Sequence, residues 1–215
     1  MPKDSGSEAS IKEAYMLKDY GGLPCIIPFE GKTVMDCGAH IGAFSKRAIE
    51  EGAEFCYCYE PIGKSCESID LNLDPEKHKT IQAALSTESG TAEFHFREDK
   101  VISASLIHKG ANHHRWGYQT QEVPVLNFYE EMDRIKPQIL KMDIEGFEWK
   151  LLTEPLPDYV EVFLIEVHQL YSKGTQAGYQ LIEDVFPGSE KLFAMEQMAF
   201  VSKGKVTELS AVYTR

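Results

Sequence analysis

The stretch from Thr33 to Glu60 constrains the fold of this chain more than any other part of it. Thr33 to Asp36 reads as a strand, and Asp36-Cys37-Gly38-Ala39-His40-Ile41-Gly42 reads as a turn containing two glycines. Ala43 to Glu51 has helical character and stops at Gly52, and Phe55 to Glu60 reads as a second strand. A strand, a turn, a helix and a second strand in about 30 residues form a β-α-β unit, which places the two strands parallel in one sheet.

The alternation continues along the chain. Ile62 to Leu71 repeats Ile62, Cys66 and Ile69 at helical spacing, and Thr80 to Leu85 reads as the next strand. Gln138 to Asp143 is expected as a strand, Glu145 to Leu152 as a helix, and Val160 to Val167 as a strand buried on both faces. Ala177 to Phe186 carries a helical face of Leu181, Ile182 and Val185, and from Lys191 the chain reads as a closing hairpin about residues 202–205. Thr91 to Arg97 breaks the rhythm with Ala92, Phe94 and Phe96 on one side, the pattern of a half-buried strand inserted into the repeat. At the front, Ser10 and Glu13 have capping-box spacing, so a short helix is expected over Ile11 to Tyr20, closed by Gly21-Gly22. The expected organisation is a tail with a short helix over 1–28 and a single α/β domain over 29–215. That domain is a Rossmann-like, mostly parallel sheet with helices on both faces.

Composition narrows the function classes. The 215 residues carry 34 acidic and 22 basic side chains, a net charge of −12. With a pI near 5.1 the chain lacks the positive field that a phosphate backbone or an anionic membrane would need. No apolar run approaches the roughly 18 residues of a membrane span, and residues 1–10 are polar, without the apolar core of a secretory signal. The five cysteines, at 25, 37, 56, 58 and 66, are odd in number and contain no CxxC pair. We therefore expect a cytoplasmic protein, no nucleic-acid or membrane partner, and Cys56 and Cys58 as small core residues.

In an open parallel sheet the ligand crevice lies outside the carboxyl ends of the strands. Those ends carry Asp36, Glu60, Gln82, Asp143 and the pair Glu166 and His168. Gly38 and Gly42 allow a tight bend, and Glu60, 22 residues past Gly38, is placed to accept both hydroxyls of a ribose. An acid that opens the turn would repel a pyrophosphate, and the turn is not GxGxxG. A ligand with an ammonium and a sulfonium is better matched, so S-adenosylmethionine is favoured over a nicotinamide dinucleotide.

The second informative run is Lys141-Met142-Asp143-Ile144-Glu145-Gly146-Phe147-Glu148. Asp143 is expected beneath the crevice, Glu145 in the first turn of a helix, and His168 across from Asp143, where it and Asp143 are candidate bases. Glu166 would orient His168 or help bind a cation. These acids with His168 would also suit Mg²⁺, but no spacing is diagnostic and no metal ligand is assigned. Between His108 and Tyr118 lies a basic, aromatic island in which Arg115 would bind an anion and Trp116 and Tyr118 would stack on a flat face. A solvated loop is the competing reading of that island.

With these segments placed, the chain resembles the FkbM family of S-adenosylmethionine-dependent methyltransferases. The resemblance is carried by Asp36 to Gly42, Tyr59-Glu60-Pro61, Asn72 and above all Lys141 to Glu148. Ala83 to Ser86, Gly90 to Phe94, Ser103 to Leu106 and Ile165 to His168 follow in the family's order, so the likeness spans about Thr33 to His168. It implies a seven-stranded sheet with an antiparallel last strand, and O-methylation of a small-molecule acceptor bearing a hydroxyl, such as a sugar or polyketide. The candidate cofactor set is Asp36, Gly38, Ala39, His40, Ile41, Gly42, Glu60, Pro61, Gln82 and Ala83. The candidate catalytic set is Lys141, Asp143, Glu145 and His168. One departure is Leu126-Asn127, where the family often has Leu-Asp. A nucleotide-linked oxidoreductase and a non-catalytic cofactor-binding module are the alternatives.

Overall fold

The computed structural model describes residues 27–97, 100–105, 119–168, 173–198 and 206–214. In chain order the first elements are β1 (Thr33–Cys37), α1 (Ala43–Glu50), β2 (Phe55–Tyr59), α2 (Gly63–Asn72) and β3 (His78–Ile81). Next come β4 (Ala84–Ser86), β5 (Gly90–Arg97), β6 (Lys100–Ser105), β7 (Gln119–Asn127) and α3 (Phe128–Ile135). The chain continues through β8 (Ile139–Met142), α4 (Glu148–Leu151), β9 (Val162–Val167), α5 (Thr175–Val185), β10 (Glu190–Met198) and β11 (Val206–Thr214).

Seven strands form the main sheet in the order β10-β11-β9-β8-β1-β2-β3. From β3 to β9 all pairings are parallel, and β11 runs antiparallel between β9 and β10. The parallel sheet and the antiparallel last strand are as expected from the sequence. Alternation along each strand separates two cores. Val34, Cys56, Cys58, Ile139 and Leu164 face α1 and Ile69 of α2, whereas Met35, Cys37, Leu140, Met142 and Phe163 face Phe128 and Met132 of α3, Leu151 of α4 and Ile182 of α5. Cys37, Cys56, Cys58 and Cys66 are buried free thiols, which fits the core reading of Cys56 and Cys58.

A four-stranded sheet, β4-β7-β5-β6, is the insertion announced by Thr91 to Arg97. Two expectations change here. The single strand expected over Thr80 to Leu85 is two strands in different sheets, because the chain turns at Gln82-Ala83, where Ala83 N–H donates to the Ile81 carbonyl (2.9 Å). The second change is that residues 119–135 hold a nine-residue strand and a helix that the sequence reading passed over. Pro124 obscures the strand, yet it is tolerated because β4 pairs with β7 only from Val125 onward, leaving this part of β7 an edge among the described residues. Asn127 caps α3, its side chain accepting from the backbone of Tyr129 (2.9 Å) and Glu130 (3.2 Å). A short polar acceptor is what an N-cap needs, and Asn meets that need as well as Asp. The helix expected over 11–20 and the island over 108–118 lie outside the described residues.

Candidate active site

The first turn is set by backbone geometry before any ligand is considered. Gly38 has φ +81°, and a Cβ there would stand 1.9 Å from the carbonyl oxygen of Asp143, so only glycine permits the close approach of this turn to the end of β8. Gly42 has φ +78°, and a Cβ there would meet Ile69 at an ordinary 3.4 Å. These glycines thus serve the packing of turn on strand and turn on helix. The N–H groups of Gly38 and Ala39 both donate to Tyr59 O (3.0 Å each), and Asn72 Nδ2 donates to Ile41 O (2.9 Å), which ties the turn to β2 and α2.

Glu60 follows β2 directly and is buried. Its Oε2 accepts from His40 N–H and its Oε1 from Ile62 N–H, each at 2.9 Å. Burial pushes its carboxyl up to about 7, against the pull of those two N–H donors. The two backbone bonds fix the carboxylate at the strand end, and each oxygen keeps a lone pair for a further donor. That is a fit for two ribose hydroxyls. Pro61 and Ala83 are buried beside it, whereas Gln82 is exposed and donates from Nε2 to Pro61 O (3.5 Å).

Asp36 is paired within the chain itself. It is fully buried in β1, its Oδ2 accepting from Ser45 Oγ of α1 (2.7 Å) and its Oδ1 lying 3.3 Å from Lys141 Nζ. Lys141 also donates to Gly38 O (2.8 Å) and lies 3.8 Å from Asp143 Oδ2. The chain's own lysine therefore meets the charge of Asp36. The ammonium links the first turn to the second acid-rich turn.

That second turn is not helical where a helix was expected. Glu145 has φ +55° and Gly146 φ +100°, both left-handed, so α4 begins only at Glu148 and spans four residues. The first-turn dipole position assigned to Glu145 is thereby corrected. Glu145 sits on a strained loop, held in a conformation that a non-glycine residue seldom adopts.

The fold of this loop is organised by Glu148, to which the sequence pattern assigns no role. It is fully buried, and its Oε1 accepts from Ile144 N–H (3.2 Å), from Gly146 N–H (3.1 Å) and from His168 Nδ1 (3.1 Å). Glu148 thus orients His168 through Nδ1. Trp149 Nε1 donates to His168 O (2.8 Å) and anchors the end of β9. The remaining ring nitrogen, Nε2, lies 3.8 Å from Asp143 Oδ1 and 3.7 Å from Glu145 Oε2. Burial disfavours the imidazolium, but the hydrogen bond and charge of Glu148, with Asp143 and Glu145, outweigh it and hold the His168 pKa well above its usual value. Asp143, Glu145 and His168 thus converge on one point at the mouth of β8 and β9. The sequence signal for Glu148 was its place three residues after Glu145, hidden by the assumption that both lay on one helix.

The profile of the FkbM methyltransferase domain matches residues 36–196, which includes every residue of both turns. The chain belongs to the FkbM methyltransferase family. S-adenosylmethionine is the methyl donor of this family, and Glu60 could hold its ribose hydroxyls. No curated protein matches the sequence. Among solved structures, a Listeria monocytogenes protein provisionally named an S-adenosylmethionine-dependent methyltransferase has 11% identity and a TM-score of 0.52, covering 97% of this chain and 99% of that one. The C-terminal domain of precorrin-6Y C5,15-methyltransferase from Rhodobacter capsulatus has 13% identity and a TM-score of 0.51, covering 94% and 88%. An FkbM methyltransferase from Methylobacillus flagellatus has 13% identity and a TM-score of 0.47. The match covers 84% of this FkbM-family chain and 43% of the Methylobacillus chain. At these identities the likeness is one of fold.

Proposed function

We propose that this FkbM-family protein transfers a methyl group to a hydroxyl oxygen of a small-molecule acceptor. The observation that carries the reading is the convergence of Asp143, Glu145 and His168 at the carboxyl ends of β8 and β9, across from the Glu60 corner. When bound, the cofactor supplies a methyl carbon on a positively charged sulfur. Glu60 would hold the ribose hydroxyls, while Gly38, Ala39, His40, Ile41 and Gly42 shape the turn beneath. Lys141, paired with Asp36, keeps the first turn against Asp143 and so fixes the distance between donor and acceptor sides. Asp143 is the group placed to receive the hydroxyl proton, and the His168 imidazolium, 3.8 Å away, pairs with its carboxylate. The net charge of −12 favours a small acceptor over a nucleic acid. The test is a mass-spectrometric screen of hydroxylated metabolites and of RNA for products one methyl heavier, with wild type beside Asp143→Asn. A methylated hydroxyl formed by wild type and lost in the variant supports the reading, and methylated RNA or a methylated amine overturns it.

A further inference from the structure

We infer that Asp143, Glu145 and His168 form a binding site for one divalent cation of the Mg²⁺ and Mn²⁺ class. One ligand atom from each residue lies within 4.8 Å of the others. An ion with bonds of about 2.1 Å places its ligand atoms roughly 3 Å apart at right angles and about 4.2 Å apart when opposed. The His168 Nε2 separations of 3.8 Å and 3.7 Å fall inside that range and are too long for hydrogen bonds.

Two further observations point to a ligand. Asp143 Oδ1 is buried at the atom, although its side chain is a quarter exposed, and has no hydrogen-bond partner among the described residues; its charged neighbour is His168 Nε2 at 3.8 Å, beyond hydrogen-bond reach. His168 is 9% exposed, its Nδ1 is held by the fully buried Glu148, and its Nε2 is aimed between the two carboxylates. A histidine fixed through one nitrogen by a carboxylate, with the other nitrogen presented to a cluster of oxygens, is the arrangement of a metal-ligating imidazole with its supporting shell. The left-handed Glu145, at φ +55°, turns its carboxylate back toward this point. Two carboxylates and one imidazole suit a hard to intermediate ion, and three protein ligands leave positions for water and for an acceptor oxygen.

The inference rests on the proposed function for the place of the acceptor and alters it in one respect. With the cation present, the Nε2 proton of His168 is released to solvent and Asp143 and His168 serve as ligands, and the acceptor hydroxyl, made more acidic by the nearby charge, gives its proton to solvent water. The oxygen then takes the methyl group. The new C–O bond forms as the C–S bond breaks, and the bonding pair stays on sulfur.

The test uses the full chain, stripped with a chelator and titrated with Mn²⁺ while the free-ion resonance signal is followed. Nitrogen modulation in the pulsed spectrum of the bound ion reports the imidazole. The expected result is one ion per chain, displaced by Mg²⁺, with at least tenfold weaker binding in Glu145→Gln and loss of the nitrogen modulation in His168→Gln. Absence of stoichiometric binding by the wild type, or binding unchanged in both variants, overturns the inference whether or not a variant folds poorly. Calorimetry with S-adenosylhomocysteine on the same samples separates the two claims. A protein that binds the nucleoside but no ion defeats the cation site alone, and one that binds the ion but no nucleoside defeats the methyltransfer reading.

Discussion

Asp36 and Lys141 stand opposite one another on adjacent parallel strands, β1 and β8, with Nζ 3.3 Å from a carboxylate oxygen that no solvent reaches. The pair lies under the floor between the two functional turns, and Lys141 also bonds the carbonyl of Gly38. Removing the ammonium leaves a buried, uncompensated carboxylate. Lys141→Met is therefore expected to destabilise the fold by about 3 kcal/mol in urea denaturation, and Asp36→Asn combined with Lys141→Met should recover part of that loss. A single variant as stable as wild type would show that the pair does not support the floor.

The glycines of the first turn make unequal demands. Gly38→Ala places a methyl 1.9 Å from a backbone oxygen at a left-handed φ, whereas Gly42→Ala meets Ile69 at 3.4 Å with a similar φ. We expect about 1 kcal/mol of destabilisation for Gly42→Ala and at least twice that for Gly38→Ala. Thermal unfolding of the two variants gives the ranking, and the reverse order would contradict the packing described.

Burial raises the Glu60 carboxyl from 4.5 to about 7. In that window the folded chain holds a proton that the unfolded chain releases. The associated stability is present in full below about 4.5 and is lost as pH rises through about 7. Wild type should lose stability between about pH 5 and pH 8 relative to Glu60→Gln, which does not titrate there. Because ribose hydroxyls donate to the ionised carboxylate, nucleoside affinity should rise over the same interval in wild type and stay flat in the variant. Parallel stability profiles for the two proteins would remove Glu60 from this role.

Much of this was legible before the structure. The positions of Asp36, Glu60, Asp143 and His168 follow from strand periodicity, since the last residues of parallel strands must share one edge of the sheet. The strained turn was not legible. Glu145 and Gly146 take left-handed conformations because Glu148 captures the N–H groups of Ile144 and Gly146, a tertiary arrangement that a helical period cannot reveal. Thr80 to Leu85 looked continuous because periodicity does not record a change of sheet at Gln82-Ala83. The strand holding Pro124 was missed because whether that position is an edge depends on where a distant partner, β4, begins.

Glu148 holds His168 and the loop together, so its effect should appear in turnover more than in cofactor binding. Glu148→Gln keeps the size and one acceptor oxygen but weakens three hydrogen bonds. We expect kcat to fall by about 10-fold to 100-fold, with S-adenosylhomocysteine affinity within about twofold of wild type. An unchanged kcat would mean that the orientation of His168 is immaterial to the reaction.

The central claim is that the Glu60 corner and the turn from Asp36 to Gly42 hold S-adenosylmethionine. Calorimetric titration of the wild-type chain and of Glu60→Ala with the cofactor tests it most directly. The account predicts one cofactor per wild-type chain and binding at least tenfold weaker in Glu60→Ala, while a wild type that takes up no cofactor, or a variant that binds it equally well, would contradict it.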